Sequence, residues 1–260
     1  MFEATVRDGV LRLRRPGTRW LSTGWDGGRS RGPAAYNVTV PEGFDRTDLG
    51  AYRDERLARA GFENGGGPAR DGDAERDPPT LFTGVAMDHA RGARRGPVVA
   101  YATAGLSNPA MLPMEPGGAA ADRGDAVADD PEREPEATTE GPPRRPGTVN
   151  LTVGTTRRLA DGAAANLVAV AAEAKAATLL ATAGVPGTTS DAVVIADDPD
   201  GEPAAFSGSA TPVGAAARVC VRDAVRASLR SRYPDGDLPG PAGDAEHGVV
   251  ADGRAEVFDP

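Results

Sequence analysis

Four short turns and one lysine hold the polar side chains of this sequence that could do chemistry. The turns are Gly105-Leu106-Ser107-Asn108-Pro109, Pro146-Gly147-Thr148-Val149-Asn150, Gly187-Thr188-Thr189-Ser190-Asp191 and Phe206-Ser207-Gly208-Ser209-Ala210-Thr211. Each joins glycine, which lets backbone approach a ligand, to hydroxyl or amide side chains that can position one. A single such turn is ordinarily a capped turn and nothing more. Four of them, each at the end of an expected strand and none carrying bulk, point to a shared polar cleft. The last precedes an expected helix, whose free N–H groups and dipole favour a developing negative charge.

The lysine is Lys175, the only one among 29 basic residues, and it lies in an alanine-rich segment, 163–183. A guanidinium stays charged everywhere, whereas an ammonium is a compact point charge that burial can tune. In a chain that has otherwise dispensed with lysine, this headgroup is either kept for its chemistry or a snorkelling surface lysine, and the residues around it decide between the two. Other chemistries are missing. No GxGxxG, GxxxxGK[ST] or HExxH occurs, so there is no dinucleotide, Walker or zincin signature. Cys220 is the single cysteine and sits among Val213, Ala217, Val221 and Ala224, where a thiol serves as a small core residue. His89 and His247 are far apart in sequence, which argues against a two-histidine metal centre.

The net charge of −9 and the absence of basic patches with interleaved aromatics exclude a nucleic-acid binder. Low lysine with abundant Asp, Glu, Thr and Ala fits a salt-loaded cytoplasm, where acidic surface keeps chains hydrated. The first seven residues alternate like a strand and lack the apolar core of a leader. The longest apolar stretch carries Glu173 and Lys175 at its middle, which predicts a helix buried in protein and not in lipid. The expectation is a soluble cytoplasmic protein without a membrane partner. Its oligomeric state is open, a homo-oligomer included.

These turns need elements to hold them. Residues 2–7 and 10–14 flank Asp8-Gly9, a type I′ hairpin signal. Strands are predicted at 19–23, 35–40, 81–87, 97–103, 147–153, 191–196 and 203–206. A helix capped by Thr47 runs to residue 60, and another covers 163–183. Thr211 as N-cap and Pro212 at the first helical position open a third, which runs to about residue 230. Segments 61–79 and 111–146 are Gly, Pro and charge without periodicity and read as two flexible, disordered acidic insertions. Residues 234–260 read as a disordered acidic tail. The result is one α+β domain over residues 1–233, with long helices packed on a mixed or antiparallel sheet.

Taken in order, the turns resemble the adenosylcobinamide amidohydrolase family of corrinoid salvage. The residues that carry the likeness are Arg19-Trp20-Leu21-Ser22-Thr23, Asn37-Val38, Ala104-Gly105-Leu106-Ser107-Asn108 and Gly147-Thr148-Val149-Asn150. They continue with Glu173-Ala174-Lys175, Thr188-Thr189-Ser190-Asp191-Ala192-Val193-Val194, Phe206-Ser207-Gly208-Ser209 and Val213-Gly214. The sequence departs from the family's Gly-Thr-Gly-Thr-Asp turn with Gly187-Thr188-Thr189-Ser190-Asp191. It departs again where the family tends to show Gly-Ser-Gly-Thr-Lys and this chain has Gly208-Ser209-Ala210-Thr211-Pro212. The second change leaves Lys175 as the only ammonium.

The resemblance implies hydrolysis of the amide joining aminopropanol to a propionate arm of the corrin ring, giving adenosylcobyric acid and 1-amino-2-propanol. The corrinoid is the substrate and brings its own cobalt, so no cofactor is implied. Amide hydrolysis needs a nucleophile, an oxyanion stabiliser and a proton for the leaving amine. The expected roles follow that demand. Thr148 or a bound water attacks, Lys175 or Asp191 handles protons, and Ser207, Ser209 and local N–H groups hold the oxyanion. Ser107, Asn108, Asn150, Thr188, Thr189 and Ser190 face the substrate, the two asparagines matching its peripheral amides. A fold-level analogy joins Gly147-Thr148 to self-cleaving enzymes whose nucleophile follows a glycine. Glu173 and Lys175 lie about 200° apart around a helix and cannot both enter one site. Two other functions use the same turns: a non-catalytic corrinoid-binding module, and a hydroxyl-nucleophile amidase of smaller amides.

Overall fold

A computed structural model describes residues 2–62, 77–115, 147–239 and 248–259. In chain order the elements are β1 (Glu3–Arg7), β2 (Val10–Ser22), β3 (Gly28–Thr39), α1 (Leu49–Arg59), β4 (Thr80–Thr83), β5 (Arg91–Arg95), β6 (Val98–Ala104), β7 (Pro109–Met111), β8 (Val149–Thr155), β9 (Arg158–Leu159), α2 (Asp161–Ala183), β10 (Gly187–Thr188), β11 (Ala192–Asp197), β12 (Pro203–Ala204), α3 (Pro212–Arg232) and β13 (Val249–Val250). The main sheet runs β4-β3-β2-β11-β8-β6-β5, with β1 on the free side of the first half of β2. It is mixed: β8 and β11 are parallel, as are β3 and β4, and the other pairs are antiparallel.

The α+β class holds, and the packing follows from side-chain alternation. On one face, Ala100, Ala102, Ala104, Val149, Leu151, Val153, Val193 and Ile195 pack against α2 and α3. The opposite face carries Val99, Ala192, Val194 and Ala196, and these meet Ala35 of β3 and Leu81 of β4. The front half of β2 with β3 and β4 therefore folds back over the centre of its own sheet. Val10, Ala34, Tyr36 and Val38 on the outside of that arm are covered by Tyr52 and Leu57 of α1 and by Phe62. The layers are helices, sheet, sheet arm, helix.

The bend in β2 is local. Pairing with β3 shifts between Arg14 and Thr18, at a bulge where Gly17 has φ +75° and Pro16 gives no ladder donor. The sequence predicted two strands here, and the structure makes one bulged strand. The hairpin is as expected, with Asp8 at φ 45° and Gly9 at φ 71°, both left-handed as a type I′ turn requires.

Two helix starts contrast. Thr211 caps α3 as expected, its Oγ1 accepting from the Gly214 N–H at 3.1 Å with Pro212 following. Replacing Thr211 by Ala should lower stability by about 1 kcal/mol, read as a shift of the denaturant midpoint. Thr47 is not the cap of α1. Asp48 precedes the helix and makes no side-chain cap, because both its oxygens are taken by the Arg46 guanidinium at 2.9 and 2.6 Å.

Most of 61–79 and 111–146 lies outside the described residues, as does His247. Where the tail is described it is not structureless: Val249 and Val250 pair parallel with Ala110 and Met111, and the Ala251 N–H bonds the Met111 carbonyl at 2.9 Å. The exposed edge of β7 offers a ladder that composition alone does not reveal. Cys220 is buried, and burial pushes its thiol above the usual range, in keeping with a core role.

Candidate active site

Parallel pairing of β8 with β11 sets Ala192 beside Asn150, so both strands begin at the same edge of the sheet. The residues just before them, Thr148 and Asp191, are thereby brought together. Helices α2 and α3 each follow one of these strands and run back antiparallel to it, so their C-terminal halves return to this edge. Lys175, in the second half of α2, reaches Asp191 from there.

Asp191 is the hub. Its Oδ1 accepts from the Val149 N–H at 2.8 Å and from the Thr188 hydroxyl, and its Oδ2 accepts from the Thr188 N–H at 3.0 Å and from Lys175 Nζ. Four donors fill the lone-pair positions of a carboxylate, leaving none to take a proton in catalysis. Asp191 is thus a clamp that joins β8, the 187–191 turn and α2, and it does not suit proton transfer. The side chains of Lys175 and Asp191 are 12% and 11% exposed. The ammonium is held next to its counter-ion with a small solvent-facing surface. Gly187 lies flush against the pair: a Cβ there would sit 2.8 Å from Asp191 Oδ2 and 3.1 Å from Lys175 Nζ. Glu173 points elsewhere and pairs with Arg218 at 2.9 Å, as the helical spacing required.

Above the clamp, Thr148 Oγ1 and Ser190 Oγ share a hydrogen bond of 2.7 Å. Thr148 is 3% exposed, whereas Ser190 and Thr189 face solvent. The third turn closes in through backbone. Asn108 O accepts from Thr189 N at 3.1 Å, Thr148 O accepts from Gly105 N at 3.1 Å, and β7 pairs with β10 through Pro109–Thr188 and Ala110–Gly187. Gly147 is required by proximity: a Cβ there would collide with the Ser107 nitrogen and lie 2.8 Å from that of Asn108. Ser107 and Asn108 are half-exposed at this junction.

Asn150 shares the inter-sheet side of β8 with Thr148. Its Nδ2 donates to Asn37 Oδ1 at 3.1 Å and to the Phe82 carbonyl at 2.9 Å, and Asn37 Nδ2 donates to Thr103 Oγ1 at 3.0 Å. Asn37 is not among the residues expected at the site. The available signal was an asparagine two residues from Ala35, on the same inward side of an alternating strand, a placement that demands a partner. Asn108 Oδ1 and Asn150 Oδ1 are buried acceptors with no hydrogen-bond partner among the described residues.

Two expected members are elsewhere. Ser207 is buried and donates to the Ala163 carbonyl at 2.7 Å while accepting from Asn166 Nδ2 at 3.0 Å, at the start of α2. Twelve residues of helix separate Ala163 from Lys175, about 18 Å along the axis. Ser209 lies beside the N-terminus of α3, at the same far end. The oxyanion role expected of these two serines does not fit this placement: Ser207 ties the turn before α3 to the start of α2, and Ser209 is exposed beside it, opposite the Thr148 edge. His89 also stays out of the cluster, its Nδ1 lying 3.1 Å from Ser231 Oγ, which accepts from Arg91 at 2.5 Å.

The assembled edge holds a fixed cation, a stacked pair of hydroxyls with one member in solvent, and two unmatched amide acceptors. Among the described residues no three His, Cys, Asp or Glu side chains converge as metal ligands. That arrangement suits polarising a carbonyl and shuttling a proton between neutral partners.

A family model described as adenosylcobinamide amidohydrolase matches residues 2–236. A curated protein of Halobacterium salinarum (strain ATCC 700922 / JCM 11081 / NRC-1), named adenosylcobinamide amidohydrolase, is 56% identical over 260 residues, which is 100% of both chains. A solved structure from Pyrococcus horikoshii OT3 shares 13% identity at a TM-score of 0.45, covering 88% of this chain and 79% of that one, a likeness too loose to bear on fold or function.

Proposed function

The chain belongs to the adenosylcobinamide amidohydrolase family, and from that membership we propose that the Thr148–Lys175–Asp191 edge is where it hydrolyses adenosylcobinamide to adenosylcobyric acid and 1-amino-2-propanol. The observation that carries the placement is the convergence of three family-like turns and the lone lysine on one sheet edge. The reading needs no metal held by the protein, since cobalt arrives within the corrinoid.

Lys175, paired with Asp191, lies where it can stabilise the oxyanion that forms on the attacked carbonyl. Thr148 is covered by Ser190, so water is the better nucleophile, and the two hydroxyls relay its proton. Water oxygen bonds to the carbonyl carbon. Its proton passes to Ser190 Oγ while the hydroxyl pair releases one toward the amine nitrogen, and the C–N bond then breaks to leave a carboxyl and a free amine. Asn108, half-exposed at this edge, is the side-chain amide suited to meet an amide-rich substrate, and the buried Asn150 underlies it. Lysine-poor, acid-rich composition supports a setting in a salt-rich cytoplasm, in the salvage of incomplete corrinoids.

Incubation of the protein with adenosylcobinamide followed by chromatography should show adenosylcobyric acid and aminopropanol in equal amounts. Recovery of unchanged ligand from a tight complex would make it a binder instead. Within the enzyme, Ser190→Ala and Thr148→Ala should each lower kcat by about 10²-fold, the scale of one proton-transfer contribution, with KM little changed. A covalent ester on Thr148 seen in a quenched mass spectrum would replace water by Thr148 as the attacking group.

A further inference from the structure

Helix α2 is apolar on two sides, and only one of them is used. Its inner side, Ala163, Ala164, Leu167, Val170, Ala171, Ala174 and Leu179, is in the core. Its outer side carries Ala165, Ala169, Ala172, Ala176 and Leu180, spaced 4-3-4-4, with Leu180 53% exposed. The helix is long and apolar enough to cross a membrane by length and composition alone, yet it sits at the surface of a chain with net charge −9. A helix apolar all round belongs inside something.

Beside that stripe a groove of about 620 Å³ runs between α2 and α3, lined by Ala177, Ala181 and Val219, by the hydroxyls of Thr178, Thr182 and Ser209, and by Arg218, Arg222 and Arg226. A protruding leucine and a groove thus occur on the same face. We propose that this face is the interface of a homodimer, in which each copy seats Leu180 in the groove of the other about a twofold axis.

Three features favour a second copy over any other occupant. A twofold interface must be self-complementary, and this face carries its own knob and its own hole. Its charges are of both signs, Glu173 with Arg218 and Asp223 with Arg222, so a rotated copy can place guanidinium opposite carboxylate without importing charge. The dimensions fit as well. A 23-residue helix is about 34 Å long, and two helices side by side span about 20 Å, which gives on the order of 700 Å² against the ~800 Å² per partner of a standard interface.

The test is the mass of the full-length protein in solution, by sedimentation or light scattering over a concentration series. The wild type should run at twice the 26.6 kDa of one chain. Ala169→Glu and, separately, Leu180→Glu should weaken association about 100-fold or more, because each places two like charges near the axis. Circular dichroism of both variants checks that α2 still forms, and Ala169→Ser, which adds no charge, should remain dimeric. A monomer at every concentration would overturn the proposal, as would a dimer indifferent to both glutamates. A monomer that co-sediments with anionic phospholipid vesicles would overturn it in favour of a lipid surface. Hydrolase activity in monomeric variants leaves the reaction above untouched, so the two readings fail separately.

Discussion

Lys175→Met will abolish turnover while leaving a folded protein. We expect kcat to drop by at least about 10³-fold, the loss that follows when a preorganised charge is removed from an oxyanion. KM should change far less, since the cation acts on charge that develops only as the carbonyl is attacked. The fold should lose only about 1–2 kcal/mol, because Asp191 keeps three other donors, the Val149 and Thr188 N–H groups and the Thr188 hydroxyl. Lys175→Arg tests whether charge alone suffices. Gly187 lies against the ammonium, so the wider guanidinium has no room without displacing the 187–191 turn. Its kcat should stay at least about 10²-fold below wild type, a loss taken from the same mechanism. Near-normal rates in Lys175→Met would remove the lysine from the reaction altogether.

Much of this architecture was legible because it rests on local rules. Asp8-Gly9 specified the hairpin, Thr211-Pro212 specified the start of α3, and the 163–183 alanine run specified α2 within two residues of its start. The candidate site was legible in part for the same reason. Thr148, Lys175 and Asp191 belong to turns and helix positions whose residue types are unusual for their surroundings.

What stayed hidden depends on distance through space. Nothing in the residues around Pro16-Gly17 says that β2 continues through a bulge and swings β3 across the sheet, and that swing is what brings Asn37 to Asn150. Ser207-Gly208-Ser209 had the composition of an oxyanion turn, but β8 and β11 are parallel and each is followed by a returning helix. Helix N-termini then fall at the C-terminal edge of the strands, opposite Thr148. Turn chemistry predicts what a loop can do, and chain direction decides which loop meets which. The edge that holds the candidate site consequently faces the C-terminal, electronegative ends of α2 and α3, a setting in which a fixed cation is favoured. This gives Lys175 a physical reason to be an ammonium that neither its sequence neighbours nor its counter-ion supplies alone.

Asp191→Asn should show the complementary pattern, with stability as the larger casualty. An asparagine offers one acceptor oxygen where four donors converge, and its own amide hydrogens would face the Lys175 ammonium or the Thr188 N–H. Leaving a mostly buried ammonium without its anion costs about 3–5 kcal/mol. The midpoint of urea unfolding should move accordingly, and the 187–191 turn should exchange its amide hydrogens faster than in the wild type. Activity will fall as well, but through displacement of Lys175, Thr148 and Ser190 together. A double variant separates the causes. If Asp191 acts only by holding the lysine, Lys175→Met/Asp191→Asn should be no slower than Lys175→Met alone, and it should be more stable than Asp191→Asn, because no uncompensated charge is left. A double variant slower than the lysine variant by a further large factor would mean that the carboxylate itself takes part in the chemistry, against the four-donor geometry that assigns it to the scaffold.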